Sequence, residues 1–270
     1  MFKKSGIIIK SEEEIDFLRH CNIMVSETLA LMGSMLRPGI TGIELDKKAE
    51  EYIRDNGGSP SFKGYQGFPN ALCISINEAV VHGIPSDYEI KDGDVVSIDC
   101  GVYKNGFHGD AAYTFAVGDV KNETMDLLRA TNKSLYLGIE QAVAGKRVGD
   151  IGFAIQFFIE KMNGYHIVRD LVGHGVGRDL HEDPEVPNFG RRGRGPLLRE
   201  RMTIAIEPMV NMGTRRIRYK KDGWTIITRD RKPSAHYEHS VIVRKNKAEL
   251  MSDHTIVEEA IKKNKNIKRL

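Results

Sequence analysis

Ile90-Lys91-Asp92-Gly93-Asp94-Val95-Val96-Ser97-Ile98-Asp99 and Leu198-Arg199-Glu200-Arg201-Met202-Thr203-Ile204-Ala205-Ile206-Glu207 share one pattern at a constant offset of 108 residues. In each, a polar turn leads into an apolar run that closes on a carboxylate. Ile90 falls on Leu198, Val96 on Ile204, Ile98 on Ile206 and Asp99 on Glu207. A helical stretch repeats too, with Leu45, Ala49 and Tyr52 matching Ile151, Ile155 and Phe158 at an offset of 106. Self-similarity of this kind marks an internal duplication of about 110 residues. It predicts an α+β chain of two pseudo-symmetric halves, each carrying an acidic residue at the end of a buried strand.

Working outward, Ser11-x-x-Glu14 reads as a capping box opening a long helix. Ile15, Leu18, Val25, Leu29, Met32 and Leu36 line one face of it, and Arg37-Pro38-Gly39 stops it. Thr41-x-x-Glu44 opens a second helix, ended by Asn56-Gly57-Gly58. Strand character follows at 72–76, 95–98 and 112–115, with a hairpin turn at Lys104-Asn105-Gly106. The second half repeats the order. A helix carries Met125, Leu128, Leu135, Ile139 and Val143 and ends at Ala144-Gly145-Lys146. A shorter amphipathic helix and strands at 202–206 and 239–243 come after it.

The 270 residues are 40% hydrophobic and 29% charged, ordinary globular composition with room for a substantial core. Mean hydropathy is −0.36, and no apolar run is long enough to span a bilayer. The opening Met1-Phe2-Lys3-Lys4 is basic, but the apolar stretch behind it is short and runs into Glu12-Glu13-Glu14, so no export signal is read. Cys21, Cys73 and Cys100 are odd in number and widely spaced, which argues against a disulfide framework and for a cytoplasmic setting. A net charge of +3 is too weak to imply DNA binding.

Asp99, Asp110, Glu207 and Glu238 each have a plain reading as a turn or strand-end carboxylate. Converging inside a core, four carboxylates would repel one another prohibitively without compensation. Two divalent cations offset that charge. A ligand set of hard oxygens with one imidazole suits Co²⁺, Mn²⁺ or Fe²⁺ better than a structural zinc. His174, flanked by Gly173 and Gly175, sits where the backbone can bend closely around a ligand. His82 and His181 are isolated histidines whose plain reading is a hydrogen-bonded structural residue, while His108, His236 and His239 flank the acidic candidates.

The ordered segments Asn77-Glu78 through His82-Gly83-Ile84-Pro85, Ser97-Ile98-Asp99, Gly106-Phe107-His108-Gly109-Asp110, Gly173-His174-Gly175-Val176-Gly177, His181-Glu182, Ile206-Glu207-Pro208-Met209 and Tyr237-Glu238-His239 closely resemble the type I methionine aminopeptidases, over about residues 8–251. The resemblance implies a pita-bread fold, two pseudo-symmetric halves whose curved antiparallel sheet is covered by helices. It implies two divalent metal ions held by Asp99, Asp110, His174, Glu207 and Glu238, those matching Asp110 and Glu238 bridging them. It further implies that a metal-bridging hydroxide attacks the first peptide bond, with Glu207 handling the proton. His181 would stabilise the oxyanion and His82 contact the substrate. By the same likeness Tyr65, Phe68, Cys73 and Trp224 line a methionine pocket, with Phe62 and Leu180 at its rim. Phe62, Phe68 and Leu180 stand where many bacterial members carry cysteine, tyrosine and phenylalanine. The substrates implied are nascent proteins with amino-terminal methionine and a small second residue.

Residues 11–252 are therefore expected to form one catalytic domain, with halves at about 11–120 and 121–252. Residues 1–10 are read as an extension and 253–270 as a helical basic tail. Prolidases share the fold but carry a large amino-terminal domain, and type II enzymes insert a subdomain where only 26 positions separate His181 from Glu207 here. A pita-bread protein that only binds RNA or ribosomes typically loses metal ligands, whereas all five positions are present. The basic runs at 191–194, 215–221 and 262–265 keep a transient ribosome contact in view, with solvated loops as their plain reading. A monomer without membrane attachment is the family expectation.

Overall fold

The computed structural model describes residues 6–270, and the basic start of the expected amino-terminal extension lies outside the described residues. Helix α1 (Glu12–Met35) begins as its capping box requires: Ser11 Oγ accepts from the Glu14 amide at 3.1 Å and the Glu14 carboxylate from the Ser11 amide at 2.9 Å. Ile15, Leu18, Val25, Leu29 and Met32 on its inner face are fully buried. Each such aliphatic side chain contributes about 1.5–3 kcal/mol by leaving water. Helix α2 (Gly42–Asp55) opens on the matching box at Thr41 and Glu44.

Strands β1 (Leu72–Ile76), β2 (Val95–Lys104) and β3 (Phe107–Val117) form the first sheet, with short partners at Ser59–Pro60 and Ile267–Lys268. The β2–β3 hairpin turns at Asn105 and Gly106, whose φ values of 53° and 84° are what a tight two-residue hairpin turn demands. Asp99 does not end its strand as the apolar run suggested. β2 continues for five more residues to Lys104, so Asp99 is an interior residue opposite Ala112 on one side and Cys73 on the other.

The second half holds α3 (Asn122–Ile139) and α4 (Val148–Gln156). α3 stops short of the expected Val143, and the chain turns through Glu140–Ala142 so that Val143 bridges to Arg244. α4 runs on into a wider π turn, Phe157–Met162. Strands β4 (Gly173–Gly175), β5 (Glu182–Val186), β6 (Thr203–Ile206) and β7 (His239–Ile242) make an antiparallel sheet in the order β7-β6-β4-β5. α2 begins at Gly42 and α4 at Val148, while β2 begins at Val95 and β6 at Thr203, at the offsets seen in the sequence.

The two sheets meet along one seam. The Glu238 amide donates to the Ala112 carbonyl at 3.0 Å, Ser240 Oγ to the Asp110 carbonyl at 2.7 Å and Tyr237 Oη to the Thr114 carbonyl at 2.9 Å. Helix α5 (His254–Ile261) packs on α1 behind it. The tail is helical only that far. Asn264 donates to the carbonyls of Gly33 and Leu36 at the end of α1, and Ile267–Lys268 then pairs with β3, so the basic run is tied down. Among the described residues no helix is long and apolar enough to cross a membrane.

Candidate metal centre and substrate cavity

The seam places Asp99 and Asp110 on neighbouring strands and puts Glu207 beside Glu238, because Ile206 pairs with His239. His174 enters from the middle of β4. A Cβ on Gly173 or Gly175 would lie 2.4 Å from a neighbouring carbonyl oxygen, so only glycine lets β4 approach this closely. His174 Nε2 lies 3.5 Å from Glu207 Oε1 and 3.8 Å from Asp110 Oδ2. One donor atom from each of Asp110, His174 and Glu238 falls within 4.8 Å of the others.

Burial raises the pKa of all four carboxyls, and their mutual repulsion adds to this for Asp110, Glu207 and Glu238; Asp99 is pushed up to about 7. Among the described residues, no lysine or arginine lines the cavity they face. Asp99 Oδ1, Asp110 Oδ1 and Glu238 Oε1 are buried without a hydrogen-bond partner. Buried oxygens left unpaired in a net-negative cluster are the arrangement that divalent cations complete. His174, held near 3 by burial, is a neutral imidazole whose Nδ1 faces the Gly175 carbonyl at 2.9 Å, leaving Nε2 to the cluster. The residues present therefore fit a divalent metal centre.

The same cavity, of about 510 Å³, is lined by every expected metal ligand and substrate-pocket residue, but not by His108, His236 or His239. Phe62, Phe68, Cys73 and Leu180 form a buried apolar group, with Tyr65, Ile84 and Trp224 packed against it. Phe62 and Leu180, expected at the rim, are deeply buried, while Tyr65 and Trp224 are the more exposed members. Trp224 meets Phe68 edge-on at 5.2 Å. His82 adopts a left-handed φ of 55°, and burial lowers its pKa to about 4. His181 Nδ1 is 2.7 Å from Tyr65 Oη, and its ring stands edge-on to His174 at 4.3 Å.

One neighbour went unread in the sequence. Lys10, only 1% exposed, pairs with Glu182 directly after His181. Its partner is 172 positions away, and no local pattern announces it. His236 was placed among residues flanking the acids; its Nε2, buried and unpartnered, lies 4.0 Å from Glu207 Oε2.

The model of metallopeptidase family M24 matches residues 16–245. A methionine aminopeptidase of Clostridium perfringens is 54% identical over 91% of this chain and 98% of its own. The crystal structure of methionine aminopeptidase from Thermotoga maritima superposes with a TM-score of 0.90 at 40% identity, covering 92% of this chain and all of that one. A prolidase from Pyrococcus furiosus shares the fold alone, with a TM-score of 0.74 at 23% identity, and this chain spans 66% of it. Two pseudo-symmetric halves that meet at a carboxylate-lined cavity, with the family match, define a pita-bread metallopeptidase. The chain belongs to metallopeptidase family M24, on its methionine aminopeptidase branch.

Proposed function

We infer that this protein removes the amino-terminal methionine from newly made proteins whose second residue is small. The observation that carries this reading is the juxtaposition of an anionic, cation-demanding cluster with a closed apolar pocket in one cavity. Asp99, Asp110, His174, Glu207 and Glu238 would hold two divalent ions, Co²⁺, Mn²⁺ or Fe²⁺. Bound there, these supply Lewis-acid polarisation of the scissile carbonyl and of the attacking water.

The chain's own residues supply the rest. Phe62, Phe68, Cys73 and Leu180 close the cavity floor, so a methionine side chain fits and a chain continuing past it does not. That closure favours a free amino end, whose α-amine would be held at the metal centre as a neutral ligand. Glu207 receives the proton from water and returns it to the departing amine. His181 donates to the carbonyl oxygen as negative charge develops there, and His82 contacts the peptide beyond it. We further propose that residues 11–252 act as one catalytic unit, as a monomer in the cytoplasm. Three unpaired cysteines suit that compartment. A transient ribosome contact through the basic loops is part of the same reading.

Metal-stripped protein, with and without Co²⁺, Mn²⁺ or Fe²⁺, is assayed for methionine release from Met-Ala-Ser and Met-Lys-Ser, beside Asp110→Asn. Metal-dependent cleavage of the alanine peptide alone, lost in the variant, is expected. A folded protein that no metal activates would sink the reading.

A further inference from the structure

Tyr65 and His181 lie 116 positions apart and come from different halves of the chain, yet Tyr65 Oη reaches His181 Nδ1 at 2.7 Å. Both ends of this contact are rigidly mounted. The Tyr65 turn closes on itself: the Tyr65 amide donates to Phe62, the Gly64 amide to Phe68 and the Phe68 amide back to Tyr65, all at 2.8–2.9 Å. Gly64, Gln66 and Gly67 take φ values of 86°, 48° and 90° to allow it. On the other side the Glu182 carboxylate accepts from the Arg178 amide at 2.9 Å and from buried Lys10, which folds 177–182 into a ring beneath His181. A Cβ on Gly177 would fall 2.3 Å from Glu182 Oε1 and 2.5 Å from Lys10 Nζ, so the ring is packed as tightly as the backbone permits.

We propose that Tyr65 is a positioning residue that sets the tautomer of His181. This deepens, and rests on, the role given to His181 above. A neutral imidazole carries one ring proton, and which nitrogen bears it is decided by the partner of the other. A phenol is the stronger donor of the pair, so the Tyr65 hydroxyl donates its hydrogen bond to Nδ1, which accepts. The remaining ring proton is then fixed on Nε2, the nitrogen free to donate to an oxygen in the cavity. The opposite tautomer would present a bare lone pair to an oxygen gaining negative charge. Tyr65 settles this choice before substrate arrives, and a donor aimed in advance costs no reorganisation at the moment of reaction. The aromatic body of Tyr65 still packs beside Phe62 and Phe68, so its two parts do separable work.

Tyr65→Phe keeps that body and removes only the hydroxyl. In the metal-loaded protein with Met-Ala-Ser, kcat is expected to fall about tenfold with KM within about twofold, the size of one lost hydrogen bond felt in the transition state. In a His181→Ala background the same substitution is expected to have no further effect on kcat. Zinc-loaded, histidine-¹⁵N-labelled protein reads the tautomer directly, the His181 signals being assigned by their loss in His181→Ala. Wild type is expected to show a pyrrole-type Nε2 and a hydrogen-bonded, pyridine-type Nδ1; in Tyr65→Phe the ring proton redistributes, so Nδ1 moves upfield toward the pyrrole range and Nε2 downfield. An Nδ1 that stays pyridine-type and an Nε2 that stays pyrrole-type in Tyr65→Phe, or an equal kcat loss in both backgrounds, overturns the proposal. A wild type without activity would instead remove the role given to His181, and the nitrogen shifts would still decide whether Tyr65 sets its tautomer.

Discussion

Replacing Lys10 with methionine isolates one charge in the interior. Methionine keeps most of the aliphatic stem, so the cavity created is small, and the change is chiefly loss of the ammonium. Lys10 and Glu182 have side chains 1% and 4% exposed, so Glu182 would be left as a buried carboxylate without a cation. Breaking such a pair by removing one partner costs about 3–5 kcal/mol. Here Glu182 retains the Arg178 amide at 2.9 Å and the Asp179 amide at 3.4 Å, which places the expected loss near the lower end, about 3 kcal/mol. For a chain of this length that is a fall in Tm of about 6–12 °C. Lys10→Met/Glu182→Gln removes both charges, and the amide can still accept from the same backbone donors, so most of the loss is expected to return. Urea unfolding at pH 7 with circular dichroism measures all three proteins. A single variant within about 0.5 kcal/mol of wild type, or a double variant no more stable than the single, refutes the claim that the pair is desolvated and mutually required.

Gly83→Ala places a methyl 2.1 Å from the Ile74 carbonyl oxygen and 2.9 Å from Ser75 Cα. Because both are sheet backbone, the variant is expected to lose about 3 kcal/mol in urea unfolding and to raise KM by displacing His82; unchanged stability and KM would show that the strand yields freely. His254 is buried and stacks on His239 at 3.7 Å. Burial lowers its pKa to about 4, opposed by the carbonyls of Glu238 and Ala112 and by Asp253. The unfolded chain, with a histidine pKa near 6.5, therefore takes up the proton first, so stability present above that value is lost as pH falls toward 4. Between pH 7.5 and 5.0 this amounts to about 2 kcal/mol, which His254→Phe should remove from the pH dependence of urea unfolding. A wild-type-minus-variant difference that stays flat over that range argues that the ring titrates as if exposed.

The parts of the molecule legible in the sequence are those whose signal is local or repeated. The capping boxes at Ser11 and Thr41 announced two helix starts because both partners of each box lie within one turn. The paired apolar runs at 95–98 and 203–206 announced the two strands that carry Asp99 and Glu207 into the seam, because a duplicated core must repeat its buried pattern. What could not be read depends on contacts formed only after the halves close. An aspartate in mid-strand ordinarily marks an end, whereas Asp99 stands inside β2 and faces a cavity that the other half lines with His174, Glu207 and Glu238. Asn264 looked like part of a loose basic tail, yet its amide answers the open carbonyls at the end of α1, a partner some 230 residues back. Lys10 and Tyr65 fall in the same class. Each is ordinary in its own neighbourhood, Lys10 within the expected amino-terminal extension and Tyr65 among pocket aromatics, and each meets its partner only when the 177–182 ring folds against it. The seam between the halves creates the carboxylate cluster, and contacts across it hold His181 beside that cluster.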